Sequence, residues 1–458
     1  MTDETEFAIN RSSYDWCVRA FGLVEKRLGL NITVHDHGHL FEKGHIFLFN
    51  HFARFETIVP PYIIHQATGK YCRSIADHDL FKISDGFGGF LRGVGAVPND
   101  TPGLLPFLAA EILRGRKVVI FPEGGMIKDR SVVDDEGDFS IFSRAAEKRR
   151  KHHRGAAVLA LTLDILKRRI VELEARGDNE RLARWVKALG LEGRAELLAR
   201  AHEPTLTVPA NITFYPLRVR ENVFSRAVKM FVKDLPKNVV EELLIEGNLL
   251  FKETDMDIRT SGPIQRRRKW RWWERTLLNR YFMKVRSLDD LFGLKDQAEG
   301  WAERMLARCM CEETLRIRDQ YTRAMYQAIT VNMSHLASLA ITKLMEQGRM
   351  TVSHGEFHTI VYLALKNLQA VPGVHLHISL CCPDLYRGVI DGDSRELDRF
   401  FSTAGKAGLV GRTPGSYRFE DKLCEDFGFD EIRMENPIVV YANEAAPLEE
   451  VTQTVEAA

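Results

Sequence analysis

The sequence predicts an α/β protein: a central mixed sheet flanked by helices, with a helical insertion and a small α+β domain at the C-terminal end. Three observations carry that prediction. "HIFLFNH" (residues 45–51) and "KVVIFPEGG" (117–125) are short, continuously apolar runs, the pattern of strands buried on both faces. Around them, strand-like and helix-like stretches alternate from residue 31 to 125, an order that lays helices on the faces of a sheet. A chain of 458 residues that is 45% hydrophobic and 28% charged is an ordinary globular composition with room for two or three domains.

The elements follow in order. "SSYDWCVRAFGLVEKRLG" (12–29) has apolar residues at helical spacing behind Ser12 or Ser13 as cap. Two strands, "NITVHDH" and "HIFLFNH", flank a turn, and a helix is expected from Phe55 to Thr68. "YCRSIAD" reads as a strand, and "DGFGGFLRGVGAVPND" as helix, turn and short strand. "GLLPFLAAEILRGR" is a helix ending at Gly115, and the strand "KVVIF" is halted by Pro122 and two glycines. Residues 145–204 are helical and highly charged, an insertion or cover, before "TLTVPANITFYPLRV" returns to strand character. "ELLIEGNLLFK" closes the domain near residue 262. Next, "PIQRRRKWRWWERTLLNRYFMKVR" concentrates three of the six tryptophans and nine Arg or Lys. Residues 299–347 read as helical, and short helices, a strand "GVHLHISL" and a hairpin "GLVGRTPGSYRFED" follow. The expected division is an N-terminal helix (1–30), a main domain (31–262, with the insertion at 145–204), a basic Trp-rich helical segment (263–335) and a C-terminal α+β domain (336–458).

Several function classes are excluded at this level. A net charge of +1 gives no overall field for nucleic acid. Seven scattered cysteines with no C-x-x-C pair suggest reduced thiols in a cytosolic setting and no zinc module, with Cys381–Cys382 expected to be buried. The acidic start, "MTDETEFAIN", does not read as a signal or transit peptide. "GAAVLALTLDIL" is interrupted by Asp164 and falls short of the roughly 20 apolar residues of a membrane span. His35, His37, His39 and His45 lack an acid or cysteine cluster and read as surface histidines. "RRKHHRG" (149–155) reads as a solvated loop, with contact to a phosphate as the alternative. From 336 to 420, helix, helix and hairpin resemble a winged helix; the segment is not strongly basic, so a structural or regulatory cap is expected rather than DNA binding.

The chemistry concentrates at two strand ends. A strand ending in Asn50-His51 brings an imidazole to a sheet edge. Glu56, five residues on, is within reach of one ring nitrogen, where a carboxylate fixes the tautomer and stabilises the imidazolium formed when the other nitrogen takes a proton. "FPEGG" ends the second strand in a turn whose free N–H groups can hold an anion, with Lys128 and Arg130 following.

Here the chain resembles the glycerolipid acyltransferases, the glycerol-3-phosphate and lysophosphatidate acyltransferases and their relatives. Their N-H-x-x-x-x-D block is matched by Asn50, His51 and Glu56, with glutamate for aspartate. The glycine-led second block is matched by Gly95, Ala96, Val97 and Pro98; its usual arginine falls near Thr101. The F-P-E-G block is intact as Phe121, Pro122, Glu123 and Gly124, and Pro216 stands for the proline of the fourth. The resemblance implies a glycerolipid-acyltransferase-like sheet in which His51, braced by Glu56, deprotonates a glycerol hydroxyl that attacks an acyl thioester directly. It implies substrate contacts from Asn50, Arg54, Gly95, Glu123, Gly124 and Gly125, with Arg92, Lys128 and Arg130 as candidate phosphate ligands. No cofactor is implied beyond acyl-CoA or acyl carrier protein as donor. The implied acceptor is glycerol-3-phosphate or 1-acylglycerol-3-phosphate, the alternatives being another lysophospholipid acceptor or a catalytically silent membrane-binding relative, and the setting a cytoplasmic enzyme peripherally bound to the inner face of a membrane. In that setting Arg266, Arg267, Trp270, Trp272 and Trp273 become a membrane-surface helix; without it the same stretch reads as a solvated basic helix with core tryptophans.

Overall fold

Side chains of "IFLF" and "KVVI" point alternately to opposite faces of one sheet, and both faces are covered. Ile46 and Leu48, with Val118 and Ile120, join one apolar core; Phe47 and Phe49, with Val119, join another. Each such side chain, fully buried, contributes about 1.5–3 kcal/mol, which is why these two runs lie at the centre. The computed structural model describes residues 7–28, 31–52, 58–83, 85–143, 146–215, 255–265, 270–295, 298, 300–428 and 431–458. Arg54, Glu56, Pro216, "ELLIEGNLLFK", Arg266 and Arg267 lie outside the described residues.

In chain order the first part runs α1 (Arg11–Leu28), β1 (Asn31–His35), α2 (Leu40–Lys43), β2 (Ile46–Phe49), α3 (Val59–Thr68), β3 (Cys72–Ala76), α4 (His78–Lys82), α5 (Asp85–Gly93), β4 (Ala96–Pro98), α6 (Leu104–Leu113) and β5 (Lys117–Ile120). A hairpin of β6 (Ile141–Ser143) and β7 (Lys148–Arg150) leads to α7 (Gly155–Ala175), α8 (Asn179–Leu189) and α9 (Arg194–His202), then β8 (Thr207–Tyr215) and β9 (Asp255–Thr260). The seven-stranded sheet has the order β1-β9-β8-β2-β5-β3-β4. Strands β8, β2, β5, β3 and β4 are mutually parallel, and β9 is antiparallel to β8, so the sheet is mixed as the sequence predicts. Because β2 and β5 are parallel neighbours, the turns that follow them open at one edge. Helices α6 and α7 cover one face, while α3 and the inner side of α1 cover the other.

Strand β9, "DMDIRT", was not expected. Met256 and Ile258 enter the core, but Asp257 and Arg259 alternate with them and are also buried. Their burial is tolerated because polar partners arrive from afar: His35 Nε2 lies 2.6 Å from Asp257, and Arg259 reaches Thr330. His45 is also no surface histidine. It is half-buried, accepts from the Leu206 N–H, and burial with nearby Lys167 and Lys117 lowers its pKa to about 3.

The rest comprises α10 (Trp272–Phe282), α11 (Leu288–Phe292), α12 (Trp301–Gln327), β10 (Thr330–Val331), α13 (Met333–Glu346), β11 (Thr351–Ser353), α14 (His354–Leu368), β12 (His375–Leu376), α15 (Ile378–Cys381), α16 (Pro383–Asp391), α17 (Arg395–Lys406), β13 (Val410–Thr413), β14 (Ser416–Phe419), α18 (Ile432–Glu435), α19 (Pro437–Ala445) and α20 (Glu449–Glu456). Helices α13, α14 and α17 with the β13–β14 hairpin, and β11 paired to β14, form the winged-helix arrangement. The expected strand "GVHLHISL" is only two residues long before α15 begins, and Cys381 and Cys382 are exposed, not buried. This region is not set apart from the sheet. Ile127 and Val132, from the loop after β5, sit in its apolar core, and Val440 and Tyr441 of α19 pack on the face formed by Phe47 and Phe49.

Trp270 corrects the membrane-helix expectation. It is 7% exposed and packs in the core shared with α6 and α7, so it is not available to a membrane surface. Trp272 is 76% exposed, and Trp273 is half-buried. Among the described residues no helix is long and apolar enough to cross a membrane.

Candidate active site at the edge of strands β2 and β5

Where β2 ends, Asn50 takes over its hydrogen bonding. Its amide nitrogen donates to the Ile212 carbonyl at 3.0 Å and its Oδ1 accepts from the Ile212 N–H at 2.7 Å, so the side chain extends the pairing with β8. The sequence suggested a substrate contact; the structure spends this carboxamide on the β8 backbone. The chain is thereby held as it turns out of the sheet at His51.

His51 is clamped through its own backbone. Its N–H donates to Glu123 Oε2 at 2.7 Å, and its carbonyl accepts from the Ile127 N–H at 2.8 Å. The ring packs on Phe121 at 5.0 Å, with Nδ1 shielded from solvent. Both contacts come from the turn after β5, so "NH" and "FPEG" are joined by direct bonds.

Glu123 is 1% exposed. Its second oxygen accepts from the Tyr326 hydroxyl at 2.6 Å, and that hydroxyl lies 2.8 Å from His152 Nε2. Burial and the carboxylate push the Tyr326 pKa well above 10, so tyrosine is the donor to Glu123. His152 must then carry its proton on Nε2 and donate to the tyrosine oxygen. Burial, with Arg150 and Arg318 nearby, lowers the His152 pKa to about 3 and keeps it neutral. Both Glu123 oxygens are thus engaged by protein groups, and its observed contacts position His51.

"RRKHHRG" is therefore no solvated loop. Arg150 donates to the Glu123 carbonyl at 2.7 Å, and the His153 N–H donates to the Pro122 carbonyl at 2.8 Å. Gly124 has φ +68°, and a Cβ there would lie 2.4 Å from the His153 ring. Gly125 has open space where its Cβ would be.

A second buried chain closes the opposite wall. Arg130 stacks over Phe52 at 3.9 Å and is ion-paired with Glu444 of α19. Glu444 also accepts from His335 Nε2 at 2.9 Å, while His335 Nδ1 accepts from the Asn332 N–H. Burial and Arg130 lower the His335 pKa to about 3, consistent with a neutral donor. Asn443 donates to the Asp129 carbonyl at 2.9 Å, fixing the same loop. Arg130 and Lys128, read from the sequence as candidate phosphate ligands, are both buried.

Asn50, His51, Phe52, Glu123, Arg130, Asn211, Tyr326 and Glu444 line one cleft. Arg92 and Gly95 are not among them. Both precede β4, which places them at the opposite edge of the parallel strands from His51. Arg92 stacks over Phe81 at 5.4 Å. Gly95, at φ +93°, lets β4 approach β3, since a Cβ would lie 2.3 Å from the Cys72 carbonyl oxygen. Their glycine and arginine are structural at this edge, which corrects the substrate-contact expectation. Asp77, His78 and Asp79 bring ligand-type atoms within 4.8 Å of one another, but Asp77 and Asp79 are exposed and Asp77 already caps α4.

Residues 31–169 match the family model described as Acyltransferase. This segment is an acyltransferase domain. It belongs to the glycerolipid acyltransferase family, and acyl transfer is the activity that membership supports. No curated protein matches the chain. The acyltransferase segment contributes His51, Glu123, Arg130 and His152 to the site. Tyr326 and Glu444, which hold two of these, lie far beyond it. Sequence reasoning missed Tyr326, Glu444 and His152; the one local signal was two adjacent histidines among basic residues at 152–153.

Proposed function

We propose that the protein is an O-acyltransferase of phospholipid synthesis. It moves a fatty acyl group from acyl-CoA or acyl carrier protein to a hydroxyl of glycerol-3-phosphate or 1-acylglycerol-3-phosphate. The observation that carries this reading is the 2.7 Å bond from the His51 N–H to Glu123, which ties the histidine block to the F-P-E-G block at one sheet edge. His51 takes the proton of the acceptor hydroxyl as its oxygen attacks the thioester carbonyl. The tetrahedral intermediate collapses, the C–S bond breaks, and the imidazolium returns the proton to the departing thiolate. Glu56 stabilises that imidazolium. Rigid placement of His51 by Glu123 and Ile127 supports this role, because a base must be within hydrogen-bond reach of the proton it removes. Exposed Trp272, with Arg275 and Arg280 on the same helix, supports contact with an anionic membrane surface at the cytoplasmic side.

Labelled acyl thioester incubated with glycerol-3-phosphate, 1-acylglycerol-3-phosphate and other lysophospholipids, followed by lipid separation, tests the acceptor. A product only from other lysophospholipids would replace the proposed acceptor. His51→Ala should lower the rate by about 10²–10⁴-fold with an unchanged melting temperature. Full activity in that variant overturns the assignment.

A further inference from the structure

The far end of α7 builds a second site. The residues just before this helix abut the His51 edge of the sheet, since the His153 ring lies against Gly124. The helix's 21 residues then run about 31 Å at 1.5 Å per residue. At that distant end, α7, α8 and the end of α10 enclose a pocket lined by Arg169, Arg176, Arg181, Arg184 and Arg286, with Glu172 as the one carboxylate among its lining residues. Its floor is apolar: Trp185 and Phe282 are both buried.

The arginines divide into built and available groups. Arg169 is 4% exposed, ion-paired with Glu172, bonded to Asn279 Oδ1 at 2.6 Å and stacked over Phe282 at 4.8 Å. Its position is fixed, and it consumes the pocket's carboxylate. Arg181 is held by Asp178 at 3.1 Å, and exposed Arg184 lies 3.6 Å from exposed Glu180. Arg176 and Arg286 are exposed, and among the described residues neither pairs with a carboxylate. Arg176 and Arg286 therefore add positive charge that no carboxylate among the described residues offsets, and an anion placed between them would relieve their repulsion. A guanidinium presents a planar fork of donors that matches phosphate oxygens bidentately.

We propose that this pocket binds a phosphate or pyrophosphate group of a ligand that is not the reacting acceptor. The proposal does not rest on the role of His51, because the pocket lies at the other end of α7. Two sources share the chemistry: the headgroup of an anionic phospholipid, and the phosphates of a soluble nucleotide-bearing molecule such as coenzyme A. Met283, 52% exposed at the rim and on the same helical segment as Trp272, gives the headgroup an apolar neighbour.

The test uses the full chain and the double variant Arg176→Glu/Arg286→Glu. Both positions are exposed, so its melting temperature should match the parent. Titration with inorganic pyrophosphate is expected to show saturable binding, weakened at least about tenfold in the variant. Loss of binding to phosphatidylglycerol vesicles with coenzyme A binding intact assigns the headgroup; the reverse assigns the soluble ligand. No saturable pyrophosphate binding, equal binding by both proteins, or poly-glutamate bound as tightly as pyrophosphate overturns the proposal.

Discussion

The two walls of the His51 cleft are built differently. The wall formed by β2 and β5 is local: Asn50, His51 and Glu123 sit at the ends of adjacent parallel strands, and each strand is a continuous apolar run. The other wall is assembled from distant chain. Tyr326 ends α12, Glu444 lies on α19, and each meets its partner across a long sequence separation. The first wall fixes the backbone of His51. The second supplies the donors and counter-charges without which a buried Glu123 and a buried Arg130 would be costly. The acyltransferase segment therefore depends on α12 and α19, both far beyond it in the chain, for the electrostatics of its own motif.

The largest test of that dependence is Glu444→Ala. It leaves Arg130 buried without its carboxylate and removes the acceptor of His335, so stability should fall by about 3–5 kcal/mol, measured by denaturant unfolding. The double variant Arg130→Met/Glu444→Leu sharpens the result, since replacing a whole buried pair by apolar groups is often neutral or stabilising. If stability and acyl transfer both return, the pair is purely structural. If stability returns without activity, Arg130 also serves the substrate.

Tyr326→Phe should act more narrowly. It deletes one donor to a buried carboxylate, a loss of about 1.5–3 kcal/mol. It also frees the Glu123 side chain that fixes His51, so the rate should fall while the KM for the thioester stays constant. Unchanged stability and rate would show that the second wall does not support the first.

A test of a different kind comes from pH. His152 and His335 are neutral in the folded protein, with pKa values lowered to about 3 by burial first and then by Arg150 and Arg130 respectively. In the unfolded chain they take up a proton near pH 6.5. Between those values the unfolded state binds more protons, so their contribution is fully present above about pH 6.5 and is lost as pH falls towards 3, at about 1.4 kcal/mol per unit for each histidine. Melting temperatures between pH 7 and 4 should fall accordingly, less steeply in His335→Asn. Equal slopes in the two proteins would remove His335 from this account.

Legibility in the sequence follows the same division. The strands "IFLF" and "KVVI" were readable because burial on both faces demands uninterrupted apolar side chains. The turn residues after them were readable because "FPEGG" cannot continue a strand. Strand β9 was hidden because its buried polar face matches a solvated pattern until Thr330 and His35 are brought against it. Trp270 and Trp272 are two residues apart in one basic stretch, yet one is core and the other exposed; composition treats them alike.

By itself the sequence determined the α/β class, the alternation of strands and helices along the chain and the two motif-bearing turns, because each depends on apolar patterning and backbone preferences within a short window. Only the tertiary structure decided what those turns touch. It gave Glu123 to the His51 backbone and Tyr326, Arg130 to Glu444, and Gly95 to the packing of β4 on β3. Buried polar groups must find partners wherever the fold delivers them, and no local pattern records which distant residue arrives.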